Sequence, residues 1–186
     1  MAPHMDLVSE CRAAAVRVLP HVRRTPTEYS PVLSEASGAF VYLKMENLQA
    51  TGSFKLRGAT NALLSLGEGE EAVVAASSGN HGLAVAHAAR AATVRPLIFV
   101  PEAAAPSKVG AIEALGAEIR RVEGDPVLAE SEARAHALET GLPYLSPYND
   151  PAVVAGQGTI GVELEEDLER VDALFASMGG GGLIAG

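Results

Sequence analysis

The chain has 186 residues, 48% of them hydrophobic, and a formal net charge of −9, so a folded chain of one domain or two small ones is expected. The acidic balance and the 4% aromatic content without tryptophan exclude the basic footprint and stacking platforms that nucleic acid needs, and offer nothing to an anionic membrane surface. The single cysteine, Cys11, excludes an internal disulfide and a thiolate metal cluster and fits a reducing cytoplasm.

Residues 1–24 lack the continuous apolar core of a signal peptide, because Arg12, Arg17, Arg23 and Arg24 interrupt it, and no apolar run approaches the ~18–20 residues needed to cross a bilayer. Taken in chain order, the apolar spacing over 7–18 predicts a helix, after which Pro20, Pro26 and Pro31 enforce an extended stretch. Residues 40–44 read as a strand and 54–66 as a helix ending at Gly67, with a loop holding Thr51, Gly52 and Ser53 between them. From residue 72 the pattern alternates. Strands are predicted over 72–76, 96–100, 117–122 and 143–145, and helices over 80–91, 106–115 and 126–140, two of them opened by Pro106 and Pro126. Such a βαβ series implies a parallel sheet. A helix over 159–169, a buried strand over 173–177 and a glycine loop complete the chain. A strand and glycine loop normally feed a helix that finishes an anion site; only residues 183–186 follow, so the fold is expected to lack its C-terminal part.

Three segments can carry chemistry. Lys55, in Thr51-Gly52-Ser53-Phe54-Lys55-Leu56-Arg57-Gly58, opens a helix where an apolar neighbour can desolvate its amine and lower its pKa, as a Schiff-base lysine requires; read alone, a lysine there is far more often a surface residue, and only its context overturns that reading. Ser77-Ser78-Gly79-Asn80-His81-Gly82 follows a strand and opens a helix, where free N–H groups attract a carboxylate or phosphate; Ser78 or Asn80 is also suited to cap that helix. Gly179, Gly180, Gly181 and Gly182 let the backbone wrap a small anion such as a phosphate monoester, although no Gly-Lys-Ser/Thr follows and a flexible linker has the same composition. Glu163, Glu165, Glu166, Asp167 and Glu169 read as a solvated helix face. His81 and His87 lack the i, i+4 spacing of a shared metal, and no metal site is expected. Cys11 reads as a packing residue.

In order and wording, these three segments resemble the fold-type II pyridoxal-phosphate enzymes, within them the serine/threonine dehydratases and the similar serine racemases. Glu46-Asn47-Leu48-Gln49 ahead of the lysine, then Pro147-Tyr148-Asn149-Asp150-Pro151 and Gly156-Gln157-Gly158-Thr159 ahead of the glycine loop, extend the resemblance over residues 24–186. It implies an α/β fold like that of the tryptophan synthase β chain, with residues 1–71 and 150–186 forming an incomplete large cofactor domain and 72–149 a small substrate-gating domain. It further implies that Lys55 tethers pyridoxal 5′-phosphate and acts as the base at the substrate Cα, with Phe54 beside the ring. Asn80 would bond the ring oxygen, Gly179 to Gly182 would hold the phosphate, and Ser77, Ser78, Asn80 and His81 the substrate carboxylate. The implied reaction converts L-serine, L-threonine or a related β-hydroxy amino acid to a 2-oxo acid and ammonia.

Ser78 matches the second acid/base of the racemases, which leaves racemisation of serine or hydroxyaspartate as the alternative, beside an inactive or partner-dependent fragment. β-Replacement enzymes of the cysteine-synthase type usually carry Thr-Ser-Gly-Asn-Thr-Gly where this chain has Ser-Ser-Gly-Asn-His-Gly. The resemblance implies a homodimer for the full-length form, or a complementary C-terminal chain.

Overall fold

The computed structural model describes residues 6–67 and 69–186. The first helix, α1 (Leu7–Val18), begins at Asp6, whose carboxylate accepts the Ser9 N–H, and buries Cys11, Ala14 and Val18 at helical spacing. A short antiparallel pair follows, β1 (Thr27–Tyr29) and β2 (Tyr42–Lys44), registered Thr27 to Lys44 and Tyr29 to Tyr42. Between them stands α2 (Pro31–Ser37), capped by Ser30 and stopped by Gly38. That helix replaces the end of the expected extended stretch, because Pro31 sits where a helix tolerates it, directly after a serine cap.

A 3-10 turn (Glu46–Leu48) and a loop lead into α3 (Lys55–Leu64). Every residue of α3 from Leu56 to Leu63 is buried, because it lies between α4 (Asn80–Ala92) and α7 (Pro151–Asp167). The helix ends at Leu64, short of the expected stop at Gly67.

Residues 72–145 form the expected parallel sheet. Strands β3 (Ala72–Ala76), β4 (Arg95–Pro101) and β5 (Glu118–Val122) pair in chain order. Residues 143–145 add a short parallel bridge on the free side of β3, through Val74 N–H to the Pro143 carbonyl and Leu145 N–H to the Val74 carbonyl. Alternate side chains divide between two cores. Val73, Ala75, Ile98 and Val100 face α3, α4 and α5 (Pro106–Glu113), whereas Val74, Leu97, Phe99 and Val122 face Ala129, Ala133 and Ala137 of α6 (Pro126–Thr140).

Helix α7 corrects the sequence expectation at its start. It begins at Pro151, with Asp150 accepting the N–H groups of Ala152 and Val153, instead of at Thr159. Three glycines depress helix propensity there, but two are required by packing. A Cβ on Gly156 would stand 2.6 Å from Gly58 Cα and 2.7 Å from the Arg57 carbonyl, and one on Gly158 would stand 2.8 Å from the Gly186 carbonyl. Residues 173–177, expected as a buried strand, form none; they are mostly exposed, Phe175 at 96%. Among the described residues no strand pairs with them, and a lone strand leaves its backbone donors and acceptors without a ladder.

Gly156→Ala should therefore cost about 2–3 kcal/mol of stability, since the atoms in its way are backbone and cannot swing aside. Gly161→Ala, on the same helix with nothing within 4 Å, should add about 0.5–1 kcal/mol. Urea titrations of the two variants check this; equal midpoints would remove the close crossing as the reason for Gly156.

Candidate active site

Lys55 is the first residue of α3. Its Nζ donates to the Pro147 carbonyl at 2.8 Å and lies 5.1 Å from the centre of the Phe54 ring. Burial holds its pKa below the ordinary lysine value, which enriches the neutral, nucleophilic amine.

The Ser77–Gly82 segment meets the same stretch from another side. His81 is buried in the first turn of α4, and its Nε2 donates to the Leu145 carbonyl at 3.0 Å. With the proton on Nε2, Nδ1 is left as a buried acceptor without a partner among the described residues, and the Ser146 hydroxyl is likewise unpaired among them. Neither Ser78 nor Asn80 caps the helix. The cap position is Gly79, with no side-chain bond, and Ser77 Oγ instead accepts the Gly79 N–H. The first intrahelical N–H bond is that of Leu83, so the N–H groups of Asn80, His81 and Gly82 are unspent among the described residues. Asn80 is exposed at the helix tip and Ser78 half-buried.

The glycine loop closes the third side. Gly181 has φ +90°, and a Cβ on Gly180 would stand 2.6 Å from the Tyr148 ring. One on Gly182 would stand 2.8 Å from Tyr148 Cα and 3.3 Å from the Pro147 carbonyl. The loop is thus pressed onto Tyr148, whose hydroxyl donates to Glu130 at 2.9 Å. Residues 145–148 are where the lysine helix, the Ser77–Gly82 turn and Gly179–Gly182 meet.

Three participants had no role assigned from sequence: the Pro147 carbonyl, Tyr148 and Glu130. A backbone acceptor leaves no trace in residue type, and Glu130 lies on α6, remote in sequence from every motif. The acidic run of α7 is also corrected. Glu163 is not merely solvated: it accepts from Arg57 at 2.6 and 2.9 Å and from Lys44 at 2.7 Å. Burial alone would raise its pKa, but these two cations hold it below the usual carboxylate range. Among the described residues no group of His, Cys, Asp and Glu could hold a metal ion, and no helix is long and apolar enough to cross a membrane.

Burial pushes the His81 pKa from 6.5 down to about 4, with Lys55 adding to the effect and the Leu145 carbonyl opposing it. The unfolded chain therefore takes up a proton that the folded one refuses. Stability is fully present above pH 6.5 and lost as the pH falls toward about 4, by ~3 kcal/mol over the whole window. His81→Gln should flatten the fall in urea midpoint across that window; an unchanged slope would assign it to other groups.

The chain matches the family described as pyridoxal-phosphate dependent enzyme over residues 18–186. It is 48% identical over 168 residues to L-threonine ammonia-lyase of Thermotoga maritima, covering 89% of this chain and 42% of that protein. It is 40% identical over 176 residues to the beta-hydroxyaspartate dehydratase of Paracoccus denitrificans, covering 94% and 56%. The fold superposes on a crystal structure of a pyridoxal 5′-phosphate-dependent aspartate racemase with a TM-score of 0.91 at 37% identity, over 98% of this chain and 58% of that one. The chain thus spans about half the length of the curated relatives it matches. Motif order, fold and sequence identity agree: this chain belongs to the pyridoxal-phosphate dependent enzyme family.

Proposed function

We propose that this chain carries the Lys55 side of a pyridoxal-phosphate dependent dehydratase, an ammonia-lyase that converts L-threonine, L-serine or a 3-hydroxyaspartate to a 2-oxo acid and ammonia. The observation that carries this reading is the Lys55 amine, desolvated and held on the Pro147 carbonyl where the Ser77–Gly82 turn and the glycine loop also meet. The relatives that are an L-threonine ammonia-lyase and a beta-hydroxyaspartate dehydratase support the reaction class.

The residues fit the cofactor. Lys55 would hold it covalently, Phe54 would pack beside its ring, and Asn80 at the tip of α4 would meet its ring oxygen. Gly179, Gly180, Gly181 and Gly182 would take the phosphate, on a loop that a side chain at 180 or 182 would lift off Tyr148. Bound there, pyridoxal phosphate supplies the electron sink that stabilises a carbanion at the substrate Cα. The chain's own groups do the rest. Lys55 Nζ takes the Cα proton, which its lowered pKa suits. Ser77, Ser78 and the free N–H groups of Asn80, His81 and Gly82 bind the substrate carboxylate at the positive end of α4. His81 stays neutral above about pH 4 and holds the turn by its bond to the Leu145 carbonyl.

One observation favours racemisation as a second reading. The Ser78 hydroxyl is half-buried and uncommitted to any hydrogen bond among the described residues, which suits a group that exchanges a proton. In either reading residues 72–149 form the substrate-gating unit and 1–71 with 150–186 the cofactor unit, sharing a buried cluster that runs from Leu56 on α3 to Val85 on α4. The exposed Leu174, Phe175 and Met178 are then covered by a second copy or by a complementary chain, in a reducing cytoplasm that suits the lone Cys11.

Added pyridoxal phosphate followed by borohydride should leave a stable adduct, located by mass spectrometry on Lys55 and absent from Lys55→Ala. Formation of 2-oxo acid from L-threonine, L-serine and L-threo-3-hydroxyaspartate should fall on the order of 10³-fold or more in that variant. Asn80→Ala should alter the absorbance of the bound cofactor without lowering the melting temperature. An adduct spread evenly over Lys44, Lys55 and Lys108 would sink the assignment.

A further inference from the structure

Arg57 stands two residues beyond Lys55 on α3. A step of two along a helix of 3.6 residues per turn rotates the side chain by roughly 200°. The two residues therefore leave nearly opposite faces, Lys55 toward the Pro147 carbonyl and Arg57 into the interior, where it is fully buried.

There the guanidinium is gripped from several directions. Its Nε and Nη2 donate to the two oxygens of Glu46 at 2.9 and 2.8 Å, and its Nη1 and Nη2 to the two oxygens of Glu163 at 2.6 and 2.9 Å. Nη1 also reaches Thr159 Oγ1 at 3.2 Å, and Nη2 reaches Thr25 Oγ1 and the Arg23 carbonyl, each at 3.4 Å. Glu46 belongs to the 3-10 turn that feeds the loop before Lys55, Glu163 and Thr159 to α7, and Thr25 and Arg23 to the segment after α1. Two carboxylates on one planar fork leave it no freedom to turn, a constraint that a lysine at the same place could not impose. The surplus negative charge is met by Lys44, which pairs with Glu163 at 2.7 Å and Asp167 at 3.2 Å.

Stability alone does not account for such a cluster. Buried ion pairs roughly break even against well-packed apolar residues, and their attested use is to fix one geometry among several.

We infer that Arg57 is a positioning residue for Lys55: clamped between Glu46 and Glu163, it sets the rotation of the first turn of α3 and so holds the Lys55 amine on the Pro147 carbonyl. The inference rests on the reading of Lys55 as the reactive amine.

The chain offers a direct test because it has three lysines, Lys44, Lys55 and Lys108, and Lys108 is exposed. Competitive labelling with acetic anhydride across pH, with peptide mass spectrometry, yields the titration midpoint of Lys55 against Lys108 without any cofactor. In the parent, Lys55 should titrate below Lys108. In Glu46→Gln its midpoint should climb toward that of Lys108, and its reactivity near neutral pH should drop three- to tenfold; Thr159→Val, which leaves both carboxylates on Arg57 but removes its bond to Thr159 Oγ1 and that hydroxyl's own bond to the Gly156 carbonyl at 2.8 Å, should fall between. Val109→Ala, a core truncation on α5 away from Arg57, should lower the melting temperature while leaving the Lys55 midpoint in place. The inference is overturned if Lys55 already titrates with Lys108 in the parent, if its midpoint is unmoved in folded Glu46→Gln, or if Val109→Ala moves it equally. Should Glu46→Gln fail to fold, Thr159→Val decides in the same way. Because labelling needs no cofactor, its failure is separate from that of the cofactor reading, which the borohydride adduct on the parent decides.

Discussion

The contact on which the rest of the structure depends is the crossing of α3 over α7 at Gly58 and Gly156. Neither position admits a Cβ, since the nearest atoms of the opposing helix lie closer than any carbon contact permits. The approach is sealed by a bond across it, Gly58 N–H to Gln157 Oε1 at 3.1 Å, which occupies a donor near the start of α3. With the axes this close, Arg57 reaches Glu163 and Thr159 on α7 while Lys55, on the other face, reaches the chain just before α7. Separating the helices by one methyl group would stretch both connections at once.

What those connections build is a stretch of four residues, 145–148, read largely through its backbone. Lys55 takes the Pro147 carbonyl, His81 the Leu145 carbonyl, and the glycines of 180 and 182 lie on Tyr148. Among the described residues, the buried side-chain atoms without partners are Thr51 and Ser53 in the loop before Lys55, His81 Nδ1, Ser146 and Tyr144 in or beside this stretch, and Thr60 and Gln157 Nε2 on α3 and α7. Unpaired buried polar groups are costly, and a native fold tolerates them chiefly where a ligand or function uses them.

Much of this was legible in the sequence. The limits of β3 and α6 follow from alternation and from Asp-Pro at the helix start, because local pattern and tertiary environment agree there. The motif residues Lys55, His81 and Gly179–Gly182 do converge. Three of the misreadings share one cause, which is that the deciding partner is distant in sequence. The glycines of α7 look like loop residues until Gly58 is placed against Gly156. Glu163 looks solvated until Arg57, 106 positions away, is found beside it. Residues 173–177 have a strand's composition but no neighbouring strand among the described residues, and composition cannot supply one.

The charge economy explains why Lys55 stands apart. Lys44, Arg24 and Arg57 are committed to carboxylates, in a network joining Glu46, Glu163, Glu166 and Asp167. A carboxylate beside Lys55 would stabilise its ammonium and raise its pKa. The Pro147 carbonyl instead gives it direction without a full opposing charge, so burial prevails and the pKa falls. In a chain of net charge −9, a phosphate-bearing ligand gains nothing from the long-range field, which salt screens within about 8 Å. On the function proposed above, recognition would therefore rest on short-range donors, the free N–H groups at the start of α4 for the substrate carboxylate and the backbone of the glycine loop for the phosphate, grouped around an amine whose pKa burial lowers.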